Sequence, residues 1–157
     1  MPIRSFQKQD LEPLVDIVKA TNVFRDEEIT VARELMEIVA GDKDQKDYVI
    51  CTYVDDQHAV RGYYCIGATP MTASTYDLYW IAVDPRSHGK GIGKELLLHC
   101  EDTIRSSGGT LVIAETSSTA KYDKTRSFYV RNQYTEASRI KGYYGPDDDL
   151  VVYIKYL

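Results

Sequence analysis

The sequence predicts an α/β (α+β) domain: a mixed, mostly antiparallel sheet of six to seven strands with helices on both faces. Three observations point to it. Short β-branched and aromatic runs occupy the middle and the end of the chain. Between them, apolar residues recur at helical spacing. One strand passes through a glycine-rich turn straight into a helix, in the stretch RSHGKGIGKELL. With 157 residues, the chain fits a single domain over 1–157 with one sizeable core.

Taken in order, Pro2 to Gln7 reads as a short strand with Ile3 and Phe6 as its apolar members. Asp10 suits an N-cap for the helix carrying Leu11, Leu14, Val15 and Val18. Asp26 to Ala40 gives a second helix, its stripe made by Ile29, Ala32, Leu35, Met36 and Val39 and stopped by Gly41. GDKDQKD is a charged loop. Tyr48–Val54 and Ala59–Ala68 flank DDQH as a hairpin, and Tyr76–Val83 is a strand ended by Asp84-Pro85. Gly91 to Arg105 is a helix with Ile92, Leu96, Cys100 and Ile104 at steps of four, broken by SSGG. TLVIA, from Thr110 to Ala114, is a continuously apolar strand, as expected where both faces are covered. Lys121 to Arg131 is a helix. Tyr134–Lys141 and Leu150–Tyr156 are the last strands, around the loop GYYGPDDD.

Composition narrows the function. A formal net charge of −5 gives no global basic field for nucleic acid. No apolar run approaches the ~20 residues of a membrane span, and Asp10 and Glu12 interrupt any signal-peptide core. Three widely spaced cysteines form neither a disulfide framework nor a metal pair, so a reduced, cytoplasmic compartment and no metal site are expected. The 13 tyrosines outnumber Phe and Trp together, and Tyr suits half-wet cleft walls as well as strands.

The glycine-rich turn is an anion site. Backbone N–H groups at a helix start lack intrahelical partners, and the helix dipole adds partial positive charge there. Glycines let the backbone approach a phosphate and adopt φ > 0. Arg86, Lys90 and Lys94 add charge around it. A pyrophosphate-bearing group is the physical expectation. A Walker A loop is excluded, because Gly89 and Gly93 are separated by three residues and Glu95 stands where the magnesium hydroxyl ligand belongs. A dinucleotide fold is excluded too, since GKGIG is G-x-G-x-G and about half the chain precedes it.

Arg86-Ser87-His88-Gly89-Lys90-Gly91 resembles the [Q/R]-x-x-G-x-[G/A] signature of the GNAT superfamily of acyl-CoA N-acetyltransferases. The preceding IAVDP, the following GKELL and the element order extend the resemblance over essentially the whole chain. It implies the GNAT fold, with a V-shaped cleft where two central strands splay apart. It also implies acetyl-CoA as cofactor, its pyrophosphate on the N–H groups of His88, Gly89, Lys90, Gly91, Ile92, Gly93 and Lys94. The main chain of Ile81, Ala82 and Val83 would pair with the pantetheine arm. A second family signature, N-x-x-A-x-x-[FL]-Y, is met here by Tyr122, Thr125, Phe128 and Tyr129. Tyr122 replaces the Asn that contacts the cofactor in the family. Gln133-Tyr134 stands where Gly-Phe is usual, and Asn132 is the expected αL residue.

The activity implied is direct transfer of acetyl to a primary amine in a ternary complex. A GNAT-fold module that binds CoA or pantetheine without turnover is the alternative. The resemblance gives Tyr129 the role of acid for the leaving thiolate. Its phenol starts near pKa ~10 and is protonated at neutral pH. Asp77, on the strand before the loop, and Glu115, at the end of the facing strand, are the candidate bases. His58, His88 and His99 are poor ones, His99 being expected on the polar face of its helix. In GYYGPDDD, Tyr144, Asp147 and Asp148 could receive a cationic amine through charge and cation–π contact. The partner is thus a small-molecule or peptide amine, and a homodimer, common in the family, is the other expected association.

Overall fold

The computed structural model describes residues 2–157. Seven strands and four helices follow one another along the chain: β1 (Ile3–Ser5), α1 (Leu11–Ala20), α2 (Asp26–Gly41), β2 (Val49–Val54), β3 (Val60–Ala68), β4 (Thr75–Val83), α3 (Ile92–Ser106), β5 (Leu111–Ser117), α4 (Asp123–Arg131), β6 (Thr135–Gly145) and β7 (Asp148–Tyr156). The strands form one sheet in the order β1-β2-β3-β4-β5-β7-β6. Every neighbouring pair is antiparallel except β4–β5, whose parallel arrangement follows from the crossover through α3.

Alternation along the strands sends adjacent residues to opposite cores. Tyr63 and Cys65 of β3 pack with Leu14, Val15, Val18 and Met36 under α1 and α2. Their neighbours Tyr64 and Ile66 pack with Leu96, Leu97, Cys100 and Ile104 under α3. The helical stripe read at steps of four on α3 is therefore the buried one. α4 closes the same face with Tyr129, against Tyr134 and Tyr153.

Several local expectations are corrected. Asp10 does not cap α1 with its side chain. It is 1% exposed and takes Arg4 in a two-point pair at 2.7 and 2.9 Å, plus the Gln7 N–H. Burial alone would raise its pKa, but these donors outweigh that and hold it below its ordinary value. The αL residue after α4 is Gln133, at φ 71, not Asn132, at φ −96. The Asn132 side chain instead bonds the Phe128 carbonyl. His99 is half-buried rather than on a solvated face, with Nδ1 2.8 Å from the Tyr64 hydroxyl. The acidic loop is mostly hairpin: Gly145 pairs with Asp148, leaving Pro146 and Asp147 as the turn.

One buried polar network ties α3 to the end of the sheet. Glu101, 1% exposed, accepts from the Tyr134 hydroxyl and from Lys155 Nζ, both at 3.0 Å. Tyr134 in turn supports the ring of Tyr129, with centroids 5.4 Å apart. Glu101→Ala should therefore destabilise the fold by about 2–3 kcal/mol, because it leaves the Tyr134 hydroxyl without its acceptor and Lys155 with only the Asn132 carbonyl. Urea unfolding measures this, and a loss below ~1 kcal/mol would show that the network is not structural.

Candidate active site

The sheet opens in its middle. β4 and β5 pair only at Thr75–Asp77 against Leu111–Ile113. Beyond Asp77, an extra residue, Tyr79, enters β4: Cys65 faces Trp80 while Ile66 faces Leu78. Such a bulge bends a strand and raises its twist. The bent part of β4 turns away from β5, which stays paired with β7 up to Ser117. Between the two strands lies a cleft of about 820 Å³.

The open edge of β4 is specific about which groups it offers. Asp84 N–H bonds the Arg61 carbonyl, so, by antiparallel alternation, Ala82 also points its backbone groups at β3. Ile81 and Val83 point theirs at the cleft. Of the three residues expected to pair with a pantetheine arm, Ala82 is thus turned the wrong way. The Val83 carbonyl has a side-chain neighbour, His88 Nε2 at 3.3 Å.

At the end of β4 the glycine-rich loop leads into α3. Gly89 and Gly91 have φ of 81° and 79°, and Gly91 is the N-cap of α3. The first helical bond is Glu95 N–H to the Gly91 carbonyl. Of the amides expected on the diphosphate, the His88 N–H is already taken by the Pro85 carbonyl at 3.4 Å, closing the short helix before the loop. Among the described residues, those of Gly89, Lys90, Gly91, Ile92, Gly93 and Lys94 have no acceptor outside the helix, and the first turn supplies none. Gly93 sits under Phe128, where an added Cβ would be 3.2 Å from the ring. Arg86 is less free than its place in the motif suggests. Asp84, 1% exposed, takes its N–H, Nε and Nη2, and also takes Arg61. Its guanidinium shapes the loop through Asp84. Lys90 and Lys94 are exposed and form no ion pair among the described residues.

Tyr129 borders the cleft from α4, and its hydroxyl makes no hydrogen bond among the described residues. Burial pushes its pKa well above the ordinary 10. Thr125 lines the same wall. Both candidate carboxylates line the cleft: Asp77 accepts from Thr69 Oγ1 at 2.8 Å, whereas exposed Glu115 has no hydrogen-bond or ion-pair partner among the described residues. Tyr144 and Asp148 line the far wall, with Asp148 accepting from Ser117 Oγ. Asp147 lies at the exposed hairpin turn with φ 58 and is not part of the wall. Arg126 of α4 fixes the end of β5 by bonding the Ser117 and Thr119 carbonyls at 2.7 and 2.9 Å.

One wall went unread in the sequence. The turn between α1 and α2 brings Phe24, Arg25 and Glu28 to the cleft. Tyr122 reaches across and donates to the Glu28 carboxylate at 3.3 Å. Its hydroxyl is thus spent on α2, unlike the family Asn that it replaces.

Comparisons with known proteins agree with this architecture. A family model for the acetyltransferase (GNAT) domain matches residues 45–136. A crystal structure of a GNAT-family acetyltransferase from Desulfovibrio desulfuricans is 35% identical, with 98% of this chain and 97% of that chain covered and a TM-score of 0.90. Two others share the fold. The ribosomal-protein-S18-alanine N-acetyltransferase of Escherichia coli is 19% identical, at 98% and 92% coverage and a TM-score of 0.75. The PaiA N-acetyltransferase of Thermoplasma acidophilum, in complex with coenzyme A, is 20% identical, at 96% and 96% coverage and a TM-score of 0.73. A search of curated proteins by sequence returns no match. No helix among the described residues is long and apolar enough to cross a membrane. The splayed central strands, the free amides at the start of α3 and the family match agree: the chain belongs to the GNAT family of acetyl-CoA-dependent N-acetyltransferases.

Proposed function

We propose that this protein moves an acetyl group from acetyl-CoA directly to a primary amine, with both held in the cleft at once. The observation that carries the reading is the run of unpartnered amides from Gly89 to Lys94, next to the open edge of β4. A diphosphate satisfies such amides without help from a side chain. Ile81 and Val83 would take the extended arm as an added strand. When bound, acetyl-CoA supplies the thioester carbonyl that the amine attacks.

The remaining roles belong to the chain. The Ile81 N–H would polarise the carbonyl as its oxygen gains charge. The amine nitrogen forms the new C–N bond, and the C–S bond breaks. Tyr129 would give its phenolic proton to the departing sulfur and recover one from solvent. Its raised pKa keeps it protonated throughout the neutral range. Glu115 is the preferred base, acting through water to take the proton that the amine loses, because it stands free in the cleft. Asp77 is the second choice, since Thr69 already holds its carboxylate. The acceptor is a cationic amine: four carboxylates (Glu28, Asp77, Glu115, Asp148) line the cleft against two cations (Arg25, Lys121).

Three outcomes follow. Tyr129→Phe should lower kcat by ~10²–10⁴-fold while CoA still binds, and the wild-type rate should not fall through loss of this proton until the pH exceeds the ordinary phenol value of 10. Steady-state thiol release read across pH checks both, and an unchanged kcat would remove Tyr129 from the mechanism. Glu115→Gln should reduce kcat more than Asp77→Asn, with the loss recovered in part as the pH rises and the free amine becomes abundant. The reverse order would exchange their roles. Gly91→Ala, forced to φ 79°, should cost ~1–2 kcal/mol and weaken CoA binding in calorimetry. Gly41→Ala, with open space around it, should leave CoA binding unchanged. CoA binding without thiol release from any amine would contradict transfer.

A further inference from the structure

We propose that Glu28 selects the acceptor, its carboxylate binding a second cationic group of the amine beside the rings of Phe24, Trp80 and Tyr122. The acceptor class is then a small molecule with two amines, one neutral and attacking, the other charged and held. This rests on the transferase reading and names its substrate class.

Glu28 stands on the first turn of α2 and lines the same cleft as Tyr129, Asp77 and Glu115. It is half-buried and caps α2 by accepting the Arg25 N–H at 3.2 Å; its other partners are long, the Tyr122 hydroxyl at 3.3 and 3.4 Å and Arg25 Nε at 3.3 Å, the arginine itself being exposed. A compact ammonium offers three donors and can displace the two side-chain partners while the cap bond stays. The aromatic rings form a continuous edge-to-face group, with Phe24 5.0 Å from Trp80 and 6.3 Å from Tyr122 between centroids. Such faces attract a cation, Trp most strongly. A carboxylate next to three aromatic rings in one cleft is therefore a cation receptor and not merely a negative surface. Trp80 and the open main chain of Ile81 both line this cleft.

The charge around the far wall agrees. Burial, then Glu115, Tyr143, Glu28 and Asp148 in turn, push the Tyr144 phenol up to about 12. A field of that sign favours a cation.

The test uses α,ω-diamines from propane to octane against amino-alcohols of equal length, with acetyl-CoA and the full chain. At least one diamine should have a KM about tenfold or more below its amino-alcohol, a difference of the size expected for one partly desolvated cation. Glu28→Gln should collapse that ratio towards one by raising the diamine KM, with little change in the amino-alcohol KM. Tyr122→Phe keeps the ring and should preserve the preference. Equal KM values in the wild type, or an unchanged ratio in Glu28→Gln, would overturn the proposal. If no amine releases CoA, calorimetry of the same diamines on the CoA-bound protein separates the two claims. Diamine binding lost in Glu28→Gln would keep the subsite and refute only the transfer. No diamine binding at all would refute the subsite.

Discussion

The early separation of β4 from β5 is the constraint on which the rest depends. A parallel pair in the centre of a sheet normally runs its whole length, because buried amides and carbonyls need partners. Here pairing stops at Asp77 and Ile113, and Tyr79 enters as a bulge two residues later. The backbone of Ile81 and Val83 is left open to whatever enters the cleft. Tyr79 packs against Gly67, where even a Cβ would be 2.8 Å from its ring, so the bulge is built into the contact with β3.

Around that opening, each wall is fixed by a different kind of bond. The glycine loop is set by backbone conformation, with Gly89 and Gly91 in the left-handed region and Asp84 gathering Arg86 and Arg61 behind it. The α4 wall is fixed by Arg126 on the carbonyls of Ser117 and Thr119, and by the Glu101–Tyr134 pair behind Tyr129. The α1–α2 wall is held by Phe24 and Ile29 on the core under the two helices, by the Arg25–Glu28 cap and by the long Tyr122–Glu28 bond.

Much of the site was legible in the sequence where function is local. The glycine loop, its helix and the strand before it are contiguous, and their chemistry follows from spacing. The F-Y pair on α4 was equally readable. What escaped depended on distant contacts. Glu28 and Tyr122 are 94 residues apart, and no periodicity links them. FRDEE, which runs from the turn after α1 into the first turn of α2, was the only local hint. Asp10 suited a cap by residue type, yet Arg4 claimed it. Asp147 suited the substrate by charge, yet hairpin register sent it to the tip. Strand alternation turned Ala82 from the cleft, which a sequence motif does not encode.

Amide hydrogen exchange with and without CoA tests the central claim most directly. The account predicts slowed exchange at Gly89 to Lys94 together with Ile81 and Val83, while Ala82, already paired with β3, changes little. Unchanged exchange across both segments at saturating CoA would contradict it.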